Sequence, residues 1–292
     1  IKCRTVTEPH ELNDTVRGTL KSLSSNTNTV ENTASGRITS FNDGGFTVGN
    51  SGNVNNNGQT FVAWCWKAGG AAVSNSDGSI TSSVSANQEA GFSIVTWTGS
   101  GADASIGHGL GKKPKVLFVK SRTNTDNWKV WWKGVTTDDS YSFQLDTTGE
   151  NYSGSDKWYN SPNGNDTTTT TFGVSGDNAT NRSGATFVAY CWAEIPGYSK
   201  MGTYRGNGNS DGIFVDLGFR PAFVIFKKID TAGYYWEIRD NKRDSFNPSE
   251  KRLFPNTNDT ENSSESMDFL SNGFKLRHSQ TGGNGDGGTY VY

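Results

Sequence analysis

Apolar and polar residues alternate along this chain in short stretches, and Gly, Asn, Ser, Thr and Asp fill the segments between them. This pattern predicts β-strands joined by turns, because successive side chains of a strand face opposite sides and these polar residues suit turns. The segment 61–66 is apolar on both faces, which predicts a central strand covered on both sides. Residues 8–22 could form a short helix, but their counterparts elsewhere indicate strand and loop. Further strands are predicted at 92–97, 116–120, 128–132, 140–145, 213–215, 222–227, 234–239 and 267–270.

Three segments of the chain match one another. Each begins with an aromatic residue and an aliphatic residue two positions later. A loop rich in Gly follows, and then a strand that begins with Thr and a second aromatic residue. The two aromatic residues are 15 positions apart in two copies and 16 apart in the third. The pairs are Phe46 and Phe61, Phe172 and Phe187, and Phe274 and Tyr290.

A second pattern also recurs, in which an aromatic residue is followed by Gly-x-Gly and then by a proline. Trp97 leads to Pro114 and Tyr204 leads to Pro221, over 17 positions in both cases. The opening residues 1–4 match the end of this pattern. We therefore expect its beginning to lie before residue 1 in a longer polypeptide.

The repeat length indicates the size of the folding unit. Lys2, Lys120 and Lys227 occupy equivalent positions, 118 and 107 residues apart, which suits a β-sandwich and is too long for a helical solenoid. We predict an all-β chain of tandem antiparallel β-sandwich domains. Residues 1–70 are the last part of a first repeat, 91–196 a complete repeat, and 197–292 a third repeat that lacks its last residues.

Composition supports this prediction and excludes several classes of protein. Apolar residues make up 32% of the chain and mean hydropathy is -0.66, but 12% of residues are aromatic, so aromatic side chains form the core. The 27 basic and 29 acidic residues are dispersed, which argues against binding of nucleic acid. No apolar run is long enough for membrane insertion. Three cysteines do not make a disulfide framework.

A search for chemistry finds no catalytic or metal-binding pattern. His10, His108 and His278 do not recur between repeats, and we predict that they lie on the surface or in loops. Cys65 and Cys191 share one strand position, which indicates buried structural thiols. The Gly-x-Gly segments at 99–101 and 206–208 are predicted turns, because no helix follows them.

Residues 207–212 resemble the oxygen-rich part of a calcium loop, but the closing acidic position holds Gly218. A pair of carboxylates for glycoside hydrolysis would have to come from Asp138, Asp139, Glu150 or Glu237, and the sequence does not show that any two converge. We therefore predict no enzymatic activity, no catalytic residue, no metal site and no cofactor.

Aromatic clusters offer a different hypothesis. Exposed aromatic faces can stack on sugar rings, although in so aromatic a chain most of these side chains must belong to the core. The residues that we predict for glycan binding are Trp131, Trp158, Tyr159 and Tyr234.

Six segments carry a resemblance to a known group of proteins. They are TFVAWCWKAGG at 60–70, SIVTWTG at 93–99, GHGL at 107–110, GYSK at 197–200, GFRPAFV at 218–224 and DTVRG at 14–18. These segments resemble repeats in large structural proteins of tailed bacteriophages, notably marine ones, and the resemblance covers nearly the whole chain. It implies tail-fibre-like virion proteins with laminin-G or lectin-like jelly-roll domains, also described as concanavalin-like. It supplies no catalytic residue.

The resemblance implies a virion structural protein in a tail fibre or other surface appendage, assembled in the host cytoplasm. Expected partners are other virion proteins, further copies of the chain in a homo-oligomer, and host cell-surface glycans. Two alternatives stay open: a passive capsid decoration or filament subunit, and a polysaccharide-degrading enzyme on the same appendage.

Overall fold

The computed structural model describes residues 1–135, 141–150, 152–153, 158, 160–161, 164–165 and 167–292. The described chain is an all-β fold with several antiparallel sheets, as predicted. Its helices are short, and none of those described has the length and apolar character needed to cross a bilayer. We divide the chain into repeat 1 (1–70), repeat 2 (71–196) and repeat 3 (197–292).

Repeat 1 contains seven strands in three small sheets. Their orders are β1-β7, β2-β3-β4 and β5-β6. The elements are β1 Lys2–Cys3, β2 Leu12–Asp14, β3 Gly18–Leu23, β4 Asn32–Thr33, β5 Ile38–Asn42, β6 Gly45–Val48, helix α1 Gly52–Asn55 and β7 Phe61–Val62.

Repeat 2 has an eight-stranded sheet, ordered β15-β14-β13-β12-β19-β10-β9-β8, packed on the pair β11-β18. Two of its strands, β8 and β9, precede the predicted start at residue 91. The elements are β8 Val73–Asn75, β9 Ser82–Asn87, β10 Phe92–Thr98, β11 Ala104–Gly107, β12 Val116–Ser121, β13 Lys129–Trp132, β14 Tyr141–Gln144, β15 Tyr152–Ser153, β16 Asn160–Ser161, β17 Gly164–Asn165, β18 Thr171–Val174, helix α2 Asn178–Asn181 and β19 Thr186–Trp192.

Repeat 3 is a sandwich of two four-stranded sheets, ordered β20-β27-β22-β23 and β21-β26-β25-β24. Aromatic residues from both sheets, including Tyr204, Phe269 and Phe274, fill its core. The elements are β20 Thr203–Arg205, β21 Phe214–Asp216, β22 Phe223–Lys228, β23 Trp236–Asp240, β24 Ser249–Arg252, β25 Asn262–Leu270, β26 Gly273–Leu276, helix α3 Thr281–Asn284 and β27 Thr289–Val291.

The lysine that marks the repeat is fully buried in each copy. Lys2, Lys120 and Lys227 each have 0% exposure, and each Nζ donates to backbone carbonyls, over 2.7 Å in its shortest bond. Burial lowers the pKa of Lys120 and of Lys227 to about 8. The ammonium groups therefore tie loops to strands inside the fold, because a buried cation must find acceptors.

The three repeats contact one another in a closed cycle. Eight or nine residues after the repeat lysine, a ring nitrogen in each repeat bonds to a backbone carbonyl of another repeat. A central hydrophobic cluster also takes buried residues from all three repeats. The repeats are therefore consecutive in sequence but share one core in space. The three bonds run from Trp128 Nε1 to Ser24 O, from His10 Nε2 to Phe254 O, and from Trp236 Nε1 to Gln144 O, each over 2.9 Å.

Two boundaries of this cycle also repeat the same ionic arrangement. Between repeats 2 and 1, the Arg122 guanidinium makes a bidentate pair with Glu31, over 2.9 Å in both bonds, and Tyr190 Oη donates to Asp14 Oδ2. Between repeats 1 and 3, the corresponding bonds come from Arg4 and Trp64. They run from Arg4 to Glu261, over 2.9 and 2.7 Å, and from Trp64 Nε1 to Asp240 Oδ2, over 3.1 Å.

Two sequence predictions are wrong. The segment 61–66 is not a central strand, since only Phe61–Val62 is extended and it pairs with β1 alone among the described strands. Its apolar character has another cause, because Trp66 packs against Phe223 of repeat 3, with ring centroids 5.4 Å apart. Cys65 is exposed, whereas Cys191 is buried as predicted.

The three histidines lie in loops, which is one of the two predicted locations, but they are buried. His10, His108 and His278 have exposures of 3%, 0% and 8%. Burial lowers the pKa of His108 and of His278 to about 4 and that of His10 to about 3. His10 and His108 each place Nε2 beside a backbone carbonyl, which is how a polar ring is accommodated in a core.

Candidate functional site

The predicted glycan-binding residues lie in different environments. Trp131 and Trp158 have exposures of 0% and 1%, so neither ring presents a face to a ligand. Tyr159 lies outside the described residues. Tyr234 is half-buried and follows β22 at the surface of repeat 3. Glycan binding therefore stays a prediction, now centred on Tyr234.

The surroundings of Tyr234 combine aromatic and cationic groups. Lys228 Nζ lies 5.5 Å from the centroid of the Tyr234 ring, within the range of a cation–π contact. Tyr235 is 44% exposed, and its ring lies 5.0 Å from that of Phe254. The guanidinium of Arg252 covers the other ring of this pair, 5.1 Å from the Phe254 centroid. This surface offers ring faces, and its two cations are paired with carboxylates of the protein itself.

A cluster of charged side chains lies beneath this surface. Arg252 Nη1 is 3.0 Å from Glu237 Oε1 and 2.7 Å from Glu265 Oε1, so one guanidinium nitrogen bridges two carboxylates. Arg239, which is 0% exposed, contacts Glu237 Oε2 at 3.2 Å. His278 Nε2 lies 3.5 Å from Glu265 Oε2. We call these five residues the charged cluster.

The cluster perturbs the titration of its own members. Burial and the nearby Glu265 raise the pKa of Glu237, against the attraction of Arg239 and Arg252. Burial lowers the pKa of His278 to about 4, so the imidazole is neutral at neutral pH. The facing atoms Glu265 Oε2 and His278 Nε2 have no hydrogen-bond partner. An acid of raised pKa beside a second carboxylate is the arrangement used for proton transfer in several enzyme classes.

The cluster is enclosed, because the exposures of its side chains range from 0% to 13%. Repeat 2 has a different residue at one of the cluster's central positions. Arg239 and Trp131 of repeat 2 occupy equivalent positions in their sheets. Arg239 pairs with Val224, the second residue of β22, and Trp131 pairs with Leu117, the second residue of β12. The same interior position therefore holds an indole in one repeat and a guanidinium in the other, and the charged cluster fills core space.

Sequence reasoning found only part of this site. It named Glu237 among four acidic residues but missed Glu265, the two arginines and His278. The available signal was an arginine and a glutamate on the inward positions of predicted strands, where apolar residues are expected. Of the other named acids, Glu150 is exposed, and Asp138 and Asp139 lie outside the described residues.

The loop that resembles a calcium site has its oxygen atoms engaged within the protein. Asp211 Oδ1 pairs with Lys275 at 3.1 Å and with Arg277 at 2.7 Å. Asn207 Oδ1 and Asn209 Oδ1 accept backbone amides from within the loop. In the described part of the chain, no group of three or more His, Cys, Asp and Glu side chains could hold a metal ion.

Comparison with known proteins identifies the family but not the function. A model of the family described as Domain of unknown function (DUF7483) matches residues 1–292, so the chain belongs to this family. No curated protein and no solved structure matches the chain.

Proposed function

We propose that this member of the DUF7483 family is a structural component of a bacteriophage particle, in a tail fibre or another surface appendage. The observation that carries the proposal is the closed cycle of contacts between the repeats. In this cycle, buried rings, arginines and carboxylates at the boundaries hold the three repeats together as one body. A rigid β-body of this kind suits a mechanical role, and the sequence resemblance to phage structural repeats points to the same class.

Mass spectrometry and immunogold labelling of purified phage particles test this role. We expect the chain in intact particles, with antibodies against exposed loops labelling an appendage. Label spread over the capsid would favour the decoration alternative. A chain present in infected cells but absent from washed particles would overturn the proposal.

We further propose that the surface around Tyr234 binds host cell-surface glycans. Support comes from the half-buried Tyr234 ring and the exposed Tyr235, whose aromatic faces could stack on sugar rings.

A glycan array compares the wild type with Tyr234→Ala, and with Tyr198→Ala as the matched control on a tyrosine that is 61% exposed. We expect Tyr234→Ala alone to lose the bound glycans. Equal binding by both variants, or no binding by the wild type, would refute the glycan site.

Polysaccharide cleavage is the second candidate function. The observation that favours it is the carboxylate pair of the charged cluster, and cleavage would require this enclosed cluster to open to solvent. Glu237 and Glu265 would serve as the carboxylate pair, with Glu237 as the acid because its pKa is raised. Incubation of host polysaccharide with wild type, Glu237→Gln and Glu265→Gln tests this function. If wild type releases no reducing ends, or if both variants cleave as wild type does, the enzyme hypothesis fails.

A further inference from the structure

A short segment of repeat 3, residues 279–285, lies between the charged cluster and solvent, and we call it the cover segment. Its first three residues are exposed, and the backbone of its helix α3 packs against the cluster. A Cβ added to Gly282 would lie 3.6 Å from Glu237 Oε1. One added to Gly283 would lie 2.9 Å from His278 Cε1, so a side chain there would collide with the imidazole. The helix backbone therefore closes the cluster on this side.

His278 holds the start of the cover segment. Its Nδ1 accepts a hydrogen bond from the backbone amide of Gln280 over 3.2 Å. Gln280 is the N-cap residue of α3 and makes no side-chain cap bond of its own. The amides of Gly283 and Asn284 donate to the Gln280 carbonyl, over 3.2 and 2.8 Å. Fixing Gln280 therefore fixes the first turn of the helix.

This hydrogen bond determines where the imidazole carries its proton. A ring nitrogen that accepts a hydrogen bond is unprotonated, so the neutral His278 ring has its proton on Nε2. Nε2 faces Glu265 Oε2 at 3.5 Å. A second proton would have to enter at Nδ1, where it would meet the amide hydrogen of Gln280. Protonation of His278 and the closed position of Gln280 therefore exclude each other.

The equivalent bond in repeat 2 is made by a hydroxyl group. Asn181 of α2 and Asn284 of α3 each donate to a backbone carbonyl at the end of a Gly-x-Gly segment, over 2.6 and 2.9 Å, which aligns the two helices. The N-cap residue of α2, Asp177, donates its amide to Ser175 Oγ over 3.4 Å. Ser175 therefore stands where repeat 3 has His278, and repeat 3 has gained a group that titrates in weak acid.

The charge of the ring depends on the groups around it. Burial has the largest effect and lowers the pKa of His278 to about 4. Two carboxylates favour protonation of the ring, and two guanidinium groups oppose it. Two tyrosines of the same core stay neutral, because burial raises their pKa. These groups are Glu265 of β25, Glu237 and Arg239 of β23, Arg252 of β24, Tyr204 of β20 and Tyr290 of β27.

We propose that His278 is an acid-sensitive latch on the cover segment. In the unprotonated state, Nδ1 retains the Gln280 amide and the charged cluster is enclosed. Uptake of a proton from water at Nδ1 breaks this hydrogen bond, releases α3 and opens Glu237 and Glu265 to solvent. Polysaccharide cleavage would require such an opening, but the latch operates whether or not the cluster is catalytic.

The size of the response follows from the two states of the ring. In the open state the pKa of His278 returns to about 6.5, whereas in the closed state it is about 4. The closed state is therefore most favoured above about pH 6.5 and loses stability as pH falls toward 4. His278 alone should lower the closed-to-open ratio about a hundredfold between pH 7 and 4. Glu237 offsets part of this, because its raised pKa favours the closed state in acid.

Hydrogen–deuterium exchange of the whole chain, corrected for the pH dependence of free amides, measures this ratio. In His278→Asn, the side-chain oxygen replaces Nδ1 as an acceptor that does not titrate. Between pH 7 and 4, protection of the cover segment should fall at least about tenfold more in wild type than in this variant. His108→Gln is the matched control, because His108 Nδ1 also accepts a backbone amide, from Leu110 over 3.1 Å, but in repeat 2. It should respond as wild type does.

NMR titration of the histidine rings in wild type provides a second measurement, which does not depend on the folding of His278→Asn. We expect the His278 ring to titrate below about pH 6, in the range where the cover segment loses protection. Glu265→Gln should move this midpoint to lower pH, because the carboxylate that faces Nε2 favours the protonated ring.

Two results would overturn the proposal: equal pH dependence of cover-segment protection in wild type and His278→Asn, or titration of the His278 ring without loss of that protection. Loss of the acid response in Glu237→Gln but not in His278→Asn would assign the switch to Glu237, which also overturns it.

Discussion

Replacement of Tyr190 by phenylalanine tests whether the boundary between repeats 1 and 2 contributes to stability. Tyr190 Oη donates to Asp14 Oδ2 over 2.8 Å and accepts from Arg17 Nη2 over 2.9 Å. The exchange removes one oxygen and leaves the ring, which stacks on Trp128 with centroids 6.3 Å apart. Packing should therefore change little, and the measured loss reports the hydrogen bonds.

The expected magnitude follows from the partners that remain. A hydrogen bond to a charged group contributes about 1.5–3 kcal/mol to the free energy of unfolding. Asp14 keeps the Arg17 guanidinium at 2.5 Å, and Arg17 keeps Glu31 at 3.0 Å, so neither charge is left alone. We expect Tyr190→Phe to lower the free energy of unfolding by about 2 kcal/mol.

Urea unfolding followed by tryptophan fluorescence provides the measurement, with Tyr198→Phe as the control. Tyr198 is 61% exposed, so its variant should stay within about 0.5 kcal/mol of wild type. In a double-mutant cycle with Asp14→Asn, the double variant should lose less than the sum of the two single losses. A Tyr190→Phe loss below about 0.5 kcal/mol, or additive losses, would refute the reasoning.

Three further predictions concern other parts of the fold. Burial lowers the pKa of His108 to about 4, so between about pH 6.5 and 4 the unfolded chain binds a proton that the folded chain does not. The free energy of unfolding should therefore fall as pH drops through this range. In urea titrations, His108→Gln should reduce this dependence on pH. Gly99→Ala brings a methyl group within 2.2 Å of Arg182 O and should cost about 1–3 kcal/mol in calorimetry, whereas a wild-type melting temperature would contradict the contact. In a native thiol-labelling time course read by mass spectrometry, exposed Cys65 should react first, and Cys191, whose pKa burial raises to about 12, should react only on unfolding; equal rates would contradict its burial.

The local structure of the chain could be predicted from sequence, because strands and turns depend on nearby residues. The strand predicted at 92–97 is observed as Phe92–Thr98, and that at 222–227 as Phe223–Lys228. The match between repeats also identified the lysine positions. The burial of these lysines could not be predicted, because it depends on loops that differ in sequence between the repeats.

Contacts between repeats could not be predicted, because the sequence does not distinguish an apolar residue that packs within one sandwich from one that packs between two repeats. Trp64 and Trp66 were assigned to a sheet interior, yet they contact repeat 3. The charged cluster was missed for a related reason. Its residues come from four separate strands or loops, and nothing in the sequence indicates that Glu237 and Glu265 lie close together.

The closed cycle of repeats has a consequence for assembly. Three separate chains with the same contacts would form a trimer that dissociates on dilution, whereas here the partners are tethered and their association is intramolecular. Contacts between the repeats should therefore not make the melting temperature depend on protein concentration. Tethering also lets the three boundaries diverge, because each repeat meets fixed neighbours, and this freedom explains how repeat 3 can hold Arg239 at the position where repeat 2 holds Trp131.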